Sequence, residues 1–515
     1  NTSLVALNLS ENRLPAREMQ HIADGVGEHP SLSHLTLSGE TLNDAAARDI
    51  GRVVAWGRLL YLDLARTTLA GSGAVALIRA LSSANGLTRL NLSDNSLGGG
   101  AAARELAIVL ERRAGVGRVT RGVTVRFLGL ARCNLGPTGG TLIARALGAN
   151  CSVEDLDLSD NGLGAMAGEA LAMSLRVLYR NGKEQRPCRM RSLNVSRNPL
   201  GNDAGVAILG ALTNGCTEYL DLSYTELRGR IAGRAIGRML RCPTIVLRYL
   251  NVEHNALGRD GVNEVFWAIR RNTSLLHLDV SDNNAGPVFG TEADKLEEYK
   301  MTSIHSALAL NQTLRSLNLG TNSLSAECGI TLMASIRKNR CLANINLENN
   351  LLDDQAATTL ARKLQRDRQI DYLNLNNNRI GWHGGVDLAA AMALNNRLTF
   401  FDAGNNMLGK GGSFAAVGAK FGDALVRNKT LTSLNLEGNK LGPAGGVAIA
   451  KALYRNNSLV YLYLANNRFD QDVGFALEDL LKVNFTLQEV GASVGEIGID
   501  SRATIDDMLA EREKM

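Results

Sequence analysis

Apolar and polar residues recur along the chain in one fixed pattern. Counted from its first residue as position 0, the repeat has Leu or a substitute at positions 0, 3, 5 and 10 and, in most copies, asparagine at position 8, as in Leu87, Leu90, Leu92, Leu97 and Asn95. Copies begin at Leu4, Leu32, Leu59, Leu87, Val125, Val153, Met190, Thr217, Leu247, Leu275, Leu314, Leu342, Ile370, Leu398, Leu431, Leu459 and Leu487. Most of these starts are 28 residues apart, so the pattern predicts about 17 repeats.

Each part of the repeat has a structural role. Positions 3 and 5 lie on one side of a short strand and fill the core, whereas positions 2, 4 and 6 face the other way. The asparagine can donate and accept hydrogen bonds, so it can pair backbone groups that the turn after the strand would otherwise leave unpaired. Glycine-rich turns such as Gly201–Gly205 follow, and then amphipathic stretches such as Val206–Leu212, which predict helices.

A strand and a helix in each repeat predict an α/β solenoid. Because helices are wider than strands, we expect a curved horseshoe with parallel strands on its concave face and helices on its convex face. The chain of 515 residues exceeds what one compact core can bury, and a repeat array avoids that limit. Only 4% of the residues are aromatic, which suits thin aliphatic layers.

The pattern resembles the ribonuclease-inhibitor type of leucine-rich repeat over residues 1 to about 490. This type is shared by ribonuclease inhibitors, Ran GTPase-activating proteins, NOD-like receptors, tropomodulins and the leucine-rich subunits of ciliary axonemes. The family also allows cysteine at position 8, where this chain has Cys133. The resemblance implies a protein-binding fold and leaves the partner open.

Four repeats are longer than the others, so their extra residues should form loops. We place these insertions near 113–122, 180–189, 287–298 and 409–418. Insertions in solenoids often lie at a binding surface, although a change in loop length can also be neutral.

Residues 491–515 depart from the repeat pattern and should form a capping tail. We expect an amphipathic helix within 497–515, beginning after Asp500 and Ser501, that closes the last repeat. A peptide that binds a partner is the alternative.

The region 101–250 is basic, with 21 Lys and Arg against 12 Asp and Glu, whereas the whole chain has 56 against 51. Such a region could attract acidic or tubulin-like protein surfaces. Nucleic acid is a weaker prediction, because no aromatic residues are interleaved with the basic ones. Five arginines on or beside the first two insertions are candidate partner contacts: Arg113, Arg118, Arg121, Arg180 and Arg186.

Aromatic residues are concentrated at position 2, on the side of the strands that faces away from the core. Such residues are typical of protein interfaces, but position 2 could also simply favour residues that form strands. The candidate contacts at this position are Tyr61, Phe127, Tyr219, Tyr249, His277, Tyr372, Phe400 and Tyr461. Position 4 is mostly Asn or Asp, which could either bind a partner or keep the sheet hydrated.

No catalytic arrangement emerges from the sequence. The glycine strings Gly98–Gly100 and Gly409–Gly412 lack the spacing of a phosphate-binding loop. The seven cysteines and seven histidines have no spacing typical of metal ligands or of a catalytic triad. We therefore predict a non-enzyme without cofactor or metal, and reduced thiols.

The sequence has no run of apolar residues long enough to span a membrane. It begins with Asn1-Thr2-Ser3-Leu4, which resembles the interior segment 272–275, so we expect it to be cut from a longer protein.

The leading hypothesis is a protein-interaction scaffold that is a subunit of a larger assembly. This assembly would be cytoplasmic, cytoskeletal or, in a cilium, axonemal. The alternatives are a regulator of GTPases, as in Ran GTPase-activating proteins, and the sensor portion of a NOD-like receptor.

Overall fold

A computed structural model describes residues 2–84, 86–98, 100–111, 124–150, 152–180, 190–286, 304–409 and 414–512. Contacts divide the chain into two compact units, Asn1–Ala256 and Leu257–Met515. Each unit is described by itself.

The first unit alternates short strands with helices. Its strands are β1 (Ala6–Asn8), β2 (His34–Thr36), β3 (Tyr61–Asp63), β4 (Arg89–Asn91), β5 (Phe127–Gly129), β6 (Asp155–Asp157), β7 (Ser192–Asn194), β8 (Tyr219–Asp221) and β9 (Tyr249–Asn251). Its helices are α1 (Met19–Glu28), α2 (Asp44–Ala55), α3 (Gly71–Ala80), α4 (Ala101–Glu111), α5 (Gly136–Ala149), α6 (Ala165–Arg180), α7 (Gly201–Ala211) and α8 (Gly229–Leu240). Each strand pairs in parallel with the next along the chain, as Tyr61 with Arg89 and Arg89 with Phe127.

The second unit has the same plan. Its strands are β10 (His277–Asp279), β11 (Ser316–Asn318), β12 (Asn344–Asn346), β13 (Tyr372–Asn374), β14 (Phe400–Asp402), β15 (Ser433–Asn435), β16 (Tyr461–Tyr463) and β17 (Glu489–Gly491). Its helices are α9 (Gly258–Ile269), α10 (Ile304–Leu310), α11 (Ala326–Lys338), α12 (Asp354–Leu364), α13 (Trp382–Met392), α14 (Phe414–Arg427), α15 (Gly442–Leu453), α16 (Gln471–Leu481), α17 (Val494–Ile497) and α18 (Ile499–Arg512). The predicted alternation of parallel strands and helices is confirmed.

The core lies between the strands and the helices. In the fourth repeat, Leu90 and Leu92 are 1% and 0% exposed, as expected for positions 3 and 5. Small residues let neighbouring helices approach: a Cβ on Gly418 would lie 2.3 Å from the Cα of Gly445. A bulkier residue there would force α14 and α15 apart.

Asparagines at position 8 pair the backbone of two neighbouring repeats, as predicted. The Asn95 Nδ2 donates to the carbonyl oxygens of Leu64 at 2.7 Å and Leu92 at 3.0 Å. Its Oδ1 accepts from the amides of Thr67 at 3.2 Å and Leu69 at 2.8 Å. With a further bond from Nδ2 to the Ser93 carbonyl at 3.3 Å, one buried side chain serves five backbone groups, which would otherwise lose their partners.

Where position 8 is not asparagine, other side chains form hydrogen bonds with the backbone groups of the turn. Glu40 is fully buried, and its two carboxylate oxygens accept from the amides of Asn12 at 2.5 Å and Leu14 at 2.6 Å. The Cys133 thiol donates to the Leu92 carbonyl at 3.1 Å, and burial raises the pKa of this thiol to about 12. Cys133 thus has a structural position and a poorly reactive thiol.

A second row of asparagines, missed in the sequence analysis, lies three residues before the repeat start. The Asn456 Nδ2 donates to the carbonyls of Leu425 at 2.7 Å and Asn428 at 3.1 Å. Its Oδ1 accepts from the amides of Ser458 at 3.0 Å and Leu459 at 2.9 Å. The row comprises Asn150, Asn272, Asn311, Asn339, Asn395, Asn428, Asn456 and Asn484. Asparagine rows therefore bracket the strands on both sides.

Two predicted boundaries were wrong. Helix α7 begins at Gly201, so the segment Gly201–Gly205 is helix and not a separate turn. Gly205 serves close packing, because a Cβ there would lie 2.4 Å from the Leu227 side chain. In the fourth insertion, residues from Phe414 onward belong to α14.

The tail forms a helix that packs on the last repeat. Helix α18 begins at Ile499, so Asp500 and Ser501 lie in its first turn and do not precede it as predicted. Ser501, Ile505 and Leu509 are buried, and α18 contacts α16. The Arg512 guanidinium donates to the Leu487 carbonyl at 2.6 Å. We propose that α18 caps the array.

Candidate interaction surface

The strand face of each unit is the sheet surface opposite the helices. We define it by repeat positions 2 and 4, the first and third residues of each strand, and by positions 6 and 7 in the turn that follows. In β3, Tyr61 and Asp63 are half-buried, whereas Leu62 between them is fully buried. Positions 2 and 4 are therefore the strand positions that a partner can reach.

The structure brings the candidate aromatic residues of the first unit into contact with neighbouring side chains. Tyr219 and Tyr249 stack in parallel, with ring centroids 4.4 Å apart and an interplanar angle of 7°. Tyr61 stacks with His34 at 5.8 Å. The Arg89 guanidinium lies over the Phe127 ring, 4.6 Å from its centroid.

The second unit has one further stacked pair. Tyr372 and Phe400 lie on adjacent strands, with ring centroids 4.3 Å apart and an interplanar angle of 8°. Tyr461 is 40% exposed, and His277 is also exposed. All eight predicted residues thus lie on the strand face. That they bind a partner stays a prediction.

A second stacked column was missed in the sequence analysis. The Arg197 guanidinium lies 4.3 Å from the Tyr224 ring centroid, and Tyr224 stacks on His254 at 4.0 Å. All three occupy position 7, where the backbone is left-handed, with φ of 54°, 55° and 49°. An aromatic residue at position 7 in successive repeats was the signal that could have found this column.

The polar residues at position 4 largely serve their own turns. The Asp221 Oδ1 accepts from the Ser223 amide at 2.9 Å and from its hydroxyl at 2.7 Å. The same contact to position 6 recurs at Asn91, Asp157, Asn194, Asp279, Asn318, Asn346, Asn374, Asp402 and Asn435. These bonds account for Asn and Asp at position 4, so no binding partner is needed to explain them.

The two units differ in the charge of their strand faces. In the first unit, Asp and Glu are mixed with Arg66, Arg89, Arg132 and Arg197. In the second unit, these four positions of the described repeats contain no Lys or Arg. They carry six carboxylates: Asp279, Asp282, Glu348, Asp402, Glu437 and Glu489. The strand face of the second unit is therefore acidic.

Several arginines of the basic region already have carboxylate partners within the first unit. Arg191 lies 3.2 Å from Glu218, and Arg126 lies 3.9 Å from Glu154. The Arg132 Nη2 donates to Asp94 at 2.8 Å. Such pairing lowers the positive potential that this region presents to a partner.

The five candidate arginines have no described side chains. Arg113, Arg118, Arg121 and Arg186 lie outside the described residues, and Arg180 ends α6 without a described side chain. The predicted insertions near 113–122, 180–189 and 287–298 lie outside the described residues or at their edge.

Tyr219 should respond to alkaline pH. Burial, followed by the nearby Asp221 carboxylate and Tyr249, raises the pKa of Tyr219 above its ordinary value. Folding therefore favours the neutral phenol, and this contribution to stability is lost as pH rises above about 10, the pKa of unfolded tyrosine. We expect Tyr219→Phe to weaken the loss of stability above pH 10 in urea titrations, with Tyr454→Phe as an exposed control. Equal pH dependence of wild type and Tyr219→Phe would contradict this expectation.

The described residues contain no group of three or more His, Cys, Asp or Glu placed to hold a metal ion. No helix in the described ranges is long and apolar enough to cross a membrane. Cys133, Cys216, Cys242, Cys328 and Cys341 form no disulfide bonds with one another.

Comparisons with known proteins agree with the repeat architecture. Residues 149–172, 188–209, 271–286 and 427–450 match the family described as Leucine Rich repeat. The chain is 25% identical over 301 residues to the human NACHT, LRR and PYD domains-containing protein 3, covering 53% of this chain and 26% of that protein. It is 24% identical over 341 residues to pig ribonuclease inhibitor, covering 65% of this chain and 62% of the inhibitor.

A solved structure titled as a TLR13–ssRNA13 complex is also similar, with a TM-score of 0.48 and 15% identity over 95% of this chain and 71% of that one.

The chain is a leucine-rich repeat protein. Its repeats are of the ribonuclease-inhibitor type, with a strand and a helix in each. It spans about a quarter of the length of the first NACHT, LRR and PYD domains-containing relatives that it matches.

Proposed function

We propose that this protein is a non-enzymatic scaffold that binds other proteins through the strand faces of its repeats. The observation that carries the proposal is the set of half-exposed aromatic residues held in stacked pairs on adjacent strands, at 4.4 Å in the first unit and 4.3 Å in the second. Side chains that are already ordered lose little conformational entropy on binding, and aromatic residues contribute much of the energy of protein interfaces.

A larger cytoplasmic assembly is the setting that we propose. A cytoskeletal or axonemal assembly is the finer form of this proposal, and it depends only on the resemblance of the repeats to axonemal subunits. The basic region 101–250 would contact acidic or tubulin-like surfaces. Because Arg126, Arg132 and Arg191 lie close to carboxylates, these contacts would depend on the arginines in the insertions.

The sensor portion of a NOD-like receptor is the second candidate. It is favoured by the matches to NACHT, LRR and PYD domains-containing proteins 3 and 12. In that case the strand faces would bind a ligand or a partner, and a nucleotide-binding module would belong to the same protein.

Crosslinking mass spectrometry on the native protein in cell extract distinguishes these candidates. Links from structural or motor proteins to the strand faces would support the scaffold. Links to a nucleotide-binding module of the same protein would support the receptor, and links to a small GTPase would support a GTPase regulator.

Substitution of the stacked pairs tests the surface itself. We expect Tyr372→Ala with Phe400→Ala, or Tyr219→Ala with Tyr249→Ala, to weaken capture of the crosslinked partner at least about tenfold. Tyr454→Ala is the matched control, because Tyr454 is 48% exposed at the end of α15. Folded variants that retain every partner at wild-type affinity would show that the strand face is not the binding surface.

A further inference from the structure

The first unit contains an arginine, Arg89, on the strand between those that carry Tyr61 and Phe127. At position 2 of β2 to β6, neighbouring strands carry His34, Tyr61, Arg89, Phe127 and Asp155 in that order. His34 stacks on Tyr61, and the Arg89 guanidinium lies 4.6 Å from the Phe127 ring centroid. Burial raises the pKa of the next carboxyl, Asp155, and the positive charges of Arg191 and Arg89 oppose that rise.

The second unit repeats this order with the arginine absent. At position 2 of β13 to β17, neighbouring strands carry Tyr372, Phe400, Ser433, Tyr461 and Glu489. A stacked aromatic pair comes first in both rows, then one variable residue, then an aromatic residue and then a carboxylate. Serine stands where the first unit has Arg89.

Two residues at position 4 are also of the same type in both units: those on the strand of the variable residue and on the strand before it. Asp63 and Asn91 follow Tyr61 and Arg89 in the first unit, and Asp402 and Asn435 follow Phe400 and Ser433 in the second. The correspondence thus extends to both rows of side chains on the strand face.

Ser433 lies on the strand between those that carry Phe400 and Tyr461, and we call the position between these two aromatic residues the slot. Ser433 is 8% exposed. Ser192 and Ser316 also occupy position 2, but neither lies between two aromatic residues, and both are half-buried. Phe400 is held against Tyr372 at 4.3 Å, on the side away from Ser433. Strands lie about 4.8 Å apart, so Phe400 and Tyr461 are separated by about 10 Å, enough for one planar group between them.

The surroundings of this slot favour a cation. The Asp402 carboxylate accepts from the side-chain amides of Asn376 at 2.9 Å and Asn435 at 3.0 Å, and in the described part of the chain it has no ion pair. Glu437 and Glu489 belong to the same acidic strand face. A planar guanidinium between aromatic faces gains from cation–π attraction, which a spherical ammonium ion exploits less fully on two faces at once.

We propose that the slot formed by Phe400, Ser433 and Tyr461, with Asp402 and Glu489 beside it, is a socket for an arginine side chain of a partner protein. At the matching position of the first unit, this chain itself places an arginine, Arg89, over the ring of Phe127. The proposal rests on the proposed function, since it names the chemistry that the strand face of the second unit recognises.

The socket can be tested without knowing the partner. Full-length protein containing 3-fluorotyrosine is titrated with N-acetyl-arginine amide, N-acetyl-lysine amide and N-acetyl-citrulline amide, and Tyr461 is followed by fluorine NMR. Its signal is assigned with Tyr461→Phe. We expect saturable shifts with arginine amide in the millimolar range, weaker binding of lysine amide and no binding of neutral citrulline amide.

Substitutions that fill or open the slot make the test specific. Ser433→Arg should raise the dissociation constant of arginine amide at least about tenfold, because it places an arginine where Arg89 lies in the first unit. Ser316→Arg is the matched control in the same row and should leave binding unchanged. Arg89→Ser should open a second site near Tyr61, seen as a second tyrosine signal that shifts. Phe400→Ala removes one wall and keeps the Tyr461 signal. It should abolish the shift caused by arginine amide, so the socket remains testable even if Ser433→Arg does not fold.

Equal shifts with arginine and citrulline amides, or unchanged binding to Ser433→Arg, would overturn the socket. Its failure is distinguishable from failure of the proposed function: the amides report on the slot alone, whereas partner capture by the Tyr372 and Phe400 variants reports on the whole strand face.

Discussion

Asn350→Ala should lower the free energy of unfolding of the second unit by about 3 kcal/mol or more. The Asn350 side chain is 4% exposed, and its Nδ2 donates to the carbonyls of Leu319, Leu347 and Glu348, each at 3.0 Å. Its Oδ1 accepts from the amides of Asn322 at 3.2 Å and Leu324 at 2.9 Å. Alanine cannot replace these bonds. Because the site is buried, bulk water cannot reach the backbone groups that the substitution leaves unpaired.

The measurement is urea unfolding of the variant beside Asn396→Ala. Asn396 is exposed before β14, so its substitution should change stability by less than about 0.5 kcal/mol. Hydrogen exchange adds a local readout, because amides of β11 and β12 should lose protection first in a chain whose repeats contact mainly their neighbours. Equal stability of the two variants would mean that the asparagine row is dispensable.

The fold follows from the sequence because each repeat must satisfy the same two demands. Leu90 and Leu92 must bury their side chains, and Asn95 must pair the backbone where the strand ends. Both demands recur at a fixed spacing, so they can be detected in one chain. The second asparagine row escaped detection because Asn456 precedes the strand, in a segment that also has the composition of an ordinary turn.

The strand face is only partly predictable for a different reason. The aromatic residues at position 2 are visible in the sequence, but stacking depends on which strands are neighbours and on the rotamers that their packing allows. Tyr372 and Phe400 are 28 residues apart in sequence and 4.3 Å apart at their ring centroids. Likewise, the net charge of region 101–250 does not reveal that Arg191 pairs with Glu218.

The acidic strand face of the second unit changes the expected chemistry of the partner. The excess of basic residues in 101–250 predicts acidic partners, whereas six carboxylates without Lys or Arg favour a basic segment. The two expectations are compatible, because they concern different surfaces. A partner with one acidic and one basic region would use both, and salt would then slow its association at each.

Ile505→Asp should uncouple α18 from the last repeat. Ile505 is fully buried, between Ser501 and Leu509 on the face of α18 that contacts α16. A buried carboxylate without a cationic partner costs several kcal/mol, so the helix should leave its site before it accepts the charge. We expect the free energy of unfolding of the second unit to fall by about 3 kcal/mol.

Ala503→Asp is the matched control for Ile505→Asp, because Ala503 is exposed on the same helix and receives the same charge. Loss of α18 would also remove the hydrogen bond from Arg512 to the Leu487 carbonyl and those from Arg502 to the carbonyls of Val490 at 2.9 Å and Ala492 at 3.2 Å. Hydrogen exchange should therefore accelerate in β16 and β17 and remain unchanged in β11. If Ile505→Asp and Ala503→Asp behave alike, α18 contributes little to the end of the array, and a peptide that binds a partner becomes the better account of the tail.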